Sequence, residues 1–216
     1  MKSPAKILLV VLLLGLGYFL LLPSYHGPGP QRAEKTQAIS NGRQLHLALV
    51  SFEAEYGSFP SAKTLARIVE ENGSPPFPLV SSNDYLRQFV ASGMLKSEKI
   101  GYCHYPAVCT KAPDEVLFPL DQAFAPGECG FSYVAGLSSK SPPDTPVFVA
   151  PMIPGTTRFD TKPFDGKAIV VRIDGSAILQ TIREDGRVAI KGGKTLFDAD
   201  APYWRGVEPY IYHPAR

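Results

Sequence analysis

The sequence predicts an α+β protein: a long amphipathic helix packed on a C-terminal antiparallel sheet, headed by an N-terminal membrane helix. Three observations predict it. A charge-free apolar run opens the chain. Apolar residues then recur at helical spacing up to residue 92. Beyond residue 100 the pattern turns to short β-prone runs separated by Asp-Gly and proline turns. Helices first and strands later argue for helices laid on one face of a sheet.

The apolar run is Ile7 to Leu22, preceded by Lys2 and Lys6. Its sixteen residues span about 24 Å as a helix, and Pro23, Ser24 and Tyr25 extend it into the interface, where tyrosine is favoured. The exit has no small-x-small pair, so residues 1–25 are expected to stay on the chain as an anchor rather than leave as a signal peptide. The two lysines place the N-terminus in the cytoplasm by the positive-inside rule. The expectation is a single-pass inner-membrane protein with a periplasmic body and the membrane as a partner. Residues 26–30 form a Gly/Pro linker, and residues 31–216 the extracytoplasmic domain.

Within that domain a helix is expected from Gln31 to Tyr56. Ala38, Gly42, Leu45, Leu49, Phe52 and Tyr56 form one stripe, with Ile39, His46 and Val50 on its flank. Gly57 and Phe59-Pro60 stop it. A second helix is expected from a Ser61 cap through Glu71, ended by Asn72-Gly73. A third runs from a Ser82 or Asn83 cap through Ser92. Strands are expected at 131–134 and 147–149. The best hairpin pairs 168–173 with 177–182 around Asp174-Gly175, a dipeptide suited to a type I′ turn. A second Asp-Gly pair, Asp185-Gly186, leads into 187–190.

Composition excludes some functions. Net charge is +2, with no basic cluster, so there is no electrostatic footprint for nucleic acid. The four histidines sit in no metalloprotease or hydrolase motif. Gly192-Gly193-Lys194-Thr195 lacks the spacing of a phosphate loop and reads as a turn. No catalytic residue, cofactor or small-molecule substrate is expected, and the chain reads as no enzyme. Of Cys103, Cys109 and Cys129, the first two can close a short disulfide loop, which leaves one thiol over. Buried free thiols are the other reading. With His104 the three make a zinc set whose spacing fits no standard site.

Several motifs fall in order along one stretch. Asn41, Arg43, Gln44, Ala48 and Leu49 are followed by Tyr56, Phe59 and Pro60, behind an apolar run that ends at Leu22-Pro23. This pattern resembles the pseudopilins, the pilin-like subunits of type II secretion systems. The resemblance implies a pilin-like fold, a structural or assembly role, and pilin-like or secretion-system subunits as partners. The alternative is a tethered binding domain that reuses the fold, with a ligand patch around Tyr203, Trp204, Tyr210 and Tyr212; an aromatic tail of this kind more often packs a sheet edge. The resemblance also implies a calcium loop. Gly192-Gly193, then Asp198 and Asp200, then Trp204 look similar to the calcium loop of some major pseudopilins, with Asp185 as a further oxygen ligand. Against this stands the reading of a solvated acidic turn.

Overall fold

The computed structural model describes residues 30–216, and the chain from Gln31 onward forms one compact unit. Three α-helices come first: α1 (Pro30–Tyr56), α2 (Ala62–Asn72) and α3 (Ser82–Ala91). A single 3-10 turn follows at Lys99–Gly101. Five strands complete the fold: β1 (Ser132–Ala135), β2 (Pro146–Ala150), β3 (Lys167–Arg172), β4 (Ala177–Thr181) and β5 (Tyr210–Tyr212). They form one antiparallel sheet in the order β4-β3-β2-β1-β5.

The expected fold is corrected at its head. Among the described residues no helix is long and apolar enough to cross a membrane. The run assigned to the membrane, residues 7–22, lies outside the described residues, as do most of the linker residues 26–30. The one long helix, α1, has 27 residues, but Arg32, Glu34, Lys35, Arg43, Glu53 and Glu55 interrupt any apolar span. The single-pass inner-membrane location, with its periplasmic body, is withdrawn with that helix.

The apolar stripe of α1 is its packed face. Ala38, Leu45, Leu49, Phe52 and Tyr56 join one core with Phe131, Tyr133, Phe148, Ile169 and Val171 of the sheet side. Phe52 anchors it, stacked on Tyr56 at 4.7 Å and edge-on to Phe89 at 5.2 Å between ring centres. Gly42 lets the helix approach the sheet. A Cβ there would stand 2.6 Å from Val171 Cγ2, closer than atoms pack. Gly57 ends the helix with φ +78°, donating its N–H to the Glu53 carbonyl at 2.7 Å.

His46, on the flank of the stripe, is packed rather than half-exposed. The flank position is buried, and the ring meets the Ile173 carbonyl at 2.8 Å. It packs beneath Gly175, where an added Cβ would lie 3.1 Å from Nδ1. The hairpin over it is not type I′, because Asp174 is not at positive φ. Gly175 alone is left-handed, at φ +82°. The Ile173 and Asp174 amides are taken by the carbonyls of Thr145 and Pro143. The turn therefore widens by one residue into the three-residue form with glycine last.

The other sheet face is also covered. Val134, Val149, Ala168 and Val170 point into a second core with Met152, Phe159, Leu196 and Trp204, all from loops. This explains the unbroken apolar run of β3: a strand buried on both faces loses its polar alternation. The helix caps fall close to expectation. Ser61 and Gly73 flank α2, whereas the cap of α3 is Ser81, one residue earlier than read from sequence, in a capping box with Asp84. The short strand β5, which the sequence did not assign as a strand, is paired to β1 at the sheet edge, where Tyr210 and Tyr212 of the aromatic tail are expected to pack.

Truncations on the α1 face should rank the packing. Leu49→Ala and Phe52→Ala are expected to cost about 2–5 kcal/mol each. His46→Ala should cost about 1–3 kcal/mol, since it leaves the Ile173 carbonyl without its partner. Urea melts of the three variants test the order; a His46→Ala melt identical to wild type would put that ring outside the core.

Candidate functional site

Between Gly101 and Ser132 the chain has no regular strand or helix, yet much of it is buried. Its backbone is held by side chains from neighbouring elements. All ten residues of α3 are buried, including Asn83 and Arg87. Asn83 donates through Nδ2 to the Phe124 carbonyl at 2.8 Å, and its Oδ1 accepts from the Ala215 N–H at 2.9 Å. Arg87 donates from Nε to the Ala123 carbonyl at 2.9 Å and pairs with Asp84 at 2.8 Å.

Two buried glutamates grip the same loop. Glu98 accepts from the Phe124 N–H through Oε1. Glu128 accepts from the Ala125 N–H at 2.8 Å through Oε2. Glu98 is 0% and Glu128 2% exposed. Asp114 reaches the same place from an exposed turn, where its Oδ1 accepts from the Val116 N–H at 2.8 Å. One carboxylate oxygen from each of the three lies within 4.8 Å of the others.

The electrostatics follow from burial. Desolvation pushes the Glu98 carboxyl above its usual range; the Phe124 amide pulls it part of the way back, and Glu128 and Asp114 add repulsion. Glu128 is raised in the same way, with the Ala125 amide and then Lys111 opposing the rise. Sequence reading missed this cluster. The three acids are far apart in the chain and form no motif; only the fold brings them together.

The sites proposed from sequence are arranged differently. Cys103, Cys109 and Cys129 are all free and buried, so the Cys103–Cys109 bridge is not formed. His104 turns to the Tyr102 hydroxyl at 3.3 Å and lies 3.8 Å from Glu34. It forms no metal grouping with the thiols among the described residues. In the Asp198–Trp204 loop, both Asp198 oxygens accept from Thr195, at 2.6 Å each. Asp200 pairs with Lys194 at 2.9 Å. The two carboxylates are thereby engaged separately, and Trp204 donates to the Leu196 carbonyl inside the second core. Tyr203 also donates to Leu196, and Tyr210 and Tyr212 lie on β5.

Tyr203 does line a cavity of about 470 Å³ with Arg172, Gln180, Ile190, Lys191 and Leu196. In its wall Arg172 pairs with Asp144 at 2.9 Å through one terminal nitrogen. The Arg172 Nε and Gln180 Oε1 atoms are buried there without a partner. This pocket can take a small polar or anionic group.

No family model, curated protein or solved structure matches this chain. No family match therefore ties it to secretion, and the type II secretion assignment is withdrawn with the membrane anchor.

Two outcomes test the buried frame. Burial raises the Cys103 thiol well above its ordinary value, Cys109 to about 11 and Cys129 to about 12. None of the three should react with a thiol reagent in the native protein near pH ~8, and all should react in denaturant. Gly130 packs against Cys103, where an added Cβ would stand 2.2 Å from the backbone oxygen. Gly130→Ala should therefore cost about 3 kcal/mol or more, read from denaturant melts.

Proposed function

We propose that this chain is a pilin-like structural or assembly protein without catalytic activity, acting through contacts with other pilin-like subunits. The observation that carries this reading is the two-sided character of α1. One face is sunk in the core against the sheet. The other leaves Leu47 66% and Val50 41% exposed, one turn apart on a helix that needs neither for its own packing. The motif residues of the resemblance serve the same helix. Asn41 donates to the Lys99 and Tyr102 carbonyls at 2.8 Å each, and Phe59 and Pro60 close its C-terminal end in buried positions. A helix fixed on one side, with two apolar side chains exposed among polar ones on the other, offers those two for lateral contact with a neighbour.

A second reading, a binding domain on the same fold, rests on the cavity beside Tyr203 and its unpartnered Arg172 and Gln180 atoms.

The two separate by experiment. Leu47→Lys with Val50→Lys should abolish cross-linking of the chain to a second copy or to pilin-like subunits in the native cell. The melt should move by less than about 0.5 kcal/mol, because both side chains are solvent-facing. Unchanged cross-linking in that variant would remove the assembly reading.

A further inference from the structure

We propose that Glu98, Asp114 and Glu128 form a calcium site. One oxygen from each falls within 4.8 Å of the others. Three carboxylate oxygens gathered this closely can share one divalent cation, which holds its oxygen ligands at about 2.0–2.6 Å. The donor set is all oxygen, with no nitrogen or sulfur, which selects a hard cation.

A second observation points to a ligand independently of this spacing. Glu98 is wholly buried; the Glu115 amide lies near its carboxyl, but Oε2 has no hydrogen bond of normal geometry among the described residues. A buried carboxylate oxygen left without a partner is costly to the fold unless positive charge meets it. The protein supplies none directly. Among the described residues, none of the three acids makes an ion pair with Lys, Arg or His. The nearby Lys99 lies 3.9 Å from Glu115 instead. Three carboxylates, two of them buried, thus share one spot, with Lys111 acting on Glu128 from a distance but paired to none of them.

The surroundings favour calcium over magnesium. The ligands come from irregular segments rather than a rigid helix face, and calcium tolerates such variable geometry where magnesium demands an octahedron. Asp114 is exposed, so it opens the site to solvent for ion entry and for water ligands. A bound ion would join the turn at Asp114 to the loop held by Glu98 and Glu128.

The test uses the full chain, stripped with chelator, then titrated with calcium chloride by calorimetry and by thermal melts. One calcium per chain is expected, with a rise in melting temperature and weaker binding of magnesium. Asp114→Asn keeps an oxygen for the Val116 amide and sits in solvent, so it should fold. It should weaken calcium binding at least tenfold without lowering the metal-free melt, since it removes a like charge from beside Glu98 and Glu128. Asp198→Asn with Asp200→Asn should bind as wild type does. The proposal is overturned by no heat and no melt shift up to about 10 mM calcium, roughly tenfold beyond the weakest calcium modules. It is equally overturned if Asp114→Asn binds as wild type does, or if the Asp198 and Asp200 double variant loses binding.

Discussion

Backbone amides and carbonyls buried outside helices and sheets must still find partners, and this fold depends on how it meets that demand between Gly101 and Ser132. The segment carries buried residues such as Ala123, Phe124 and Cys129 but has no ladder of its own. Its carbonyls at 123 and 124 are met by Arg87 and Asn83 from α3. Its amides at 124 and 125 are met by Glu98 and Glu128. Polar side chains are therefore buried where a simpler fold would place leucines. Each is needed, because a buried donor or acceptor left alone costs about 1–3 kcal/mol. The same requirement brings acidic groups into close quarters and creates the charge imbalance at Glu98 and Glu128.

The sheet is the second organising element, and it is covered on both sides by different means. One face takes α1, brought close by Gly42. The other takes loops from residues 152 to 204, with Phe159, Phe197 and Trp204 stacked along them. His46 joins the helix layer to the β3–β4 turn through the Ile173 carbonyl. That contact explains why a histidine can lie within an otherwise apolar seam: its ring nitrogen meets a carbonyl the widened turn leaves free.

Periodicity made the helices legible. The stripe from Ala38 to Tyr56 follows directly from 3.6-residue spacing, and Gly57, Gly73 and the serine caps mark boundaries through local chemistry. The β3–β4 pair was legible for the same reason, since apolar runs around Asp-Gly have few other solutions. The apolar head of the chain led instead to a membrane fold and location that the described helices do not carry. How deeply His46 packs was not legible, because flank and core differ by one position on a helix, and only the turn above it decides. The carboxylate cluster was illegible, since its members are joined by irregular segments that no period describes. The acidic pair Asp198 and Asp200 drew attention by adjacency, yet Thr195 and Lys194 occupy them.

The last strand has a consequence for how the molecule is made. β5 pairs with β1. The residues after it return to the helices: the His213 carbonyl accepts from Ser82, and Ala215 joins both Asn83 and Gly127. Ser82 and Asn83 are separated from these residues by most of the domain's length, and Gly127 by just under half of it. During synthesis, α1 to α3 and the inner strands leave the ribosome while the sheet edge at β1 is still bare. Final closure waits for the C-terminal residues to emerge, so the nascent domain passes through an interval with an unpaired edge, the condition under which chains of this topology depend most on protection from aggregation.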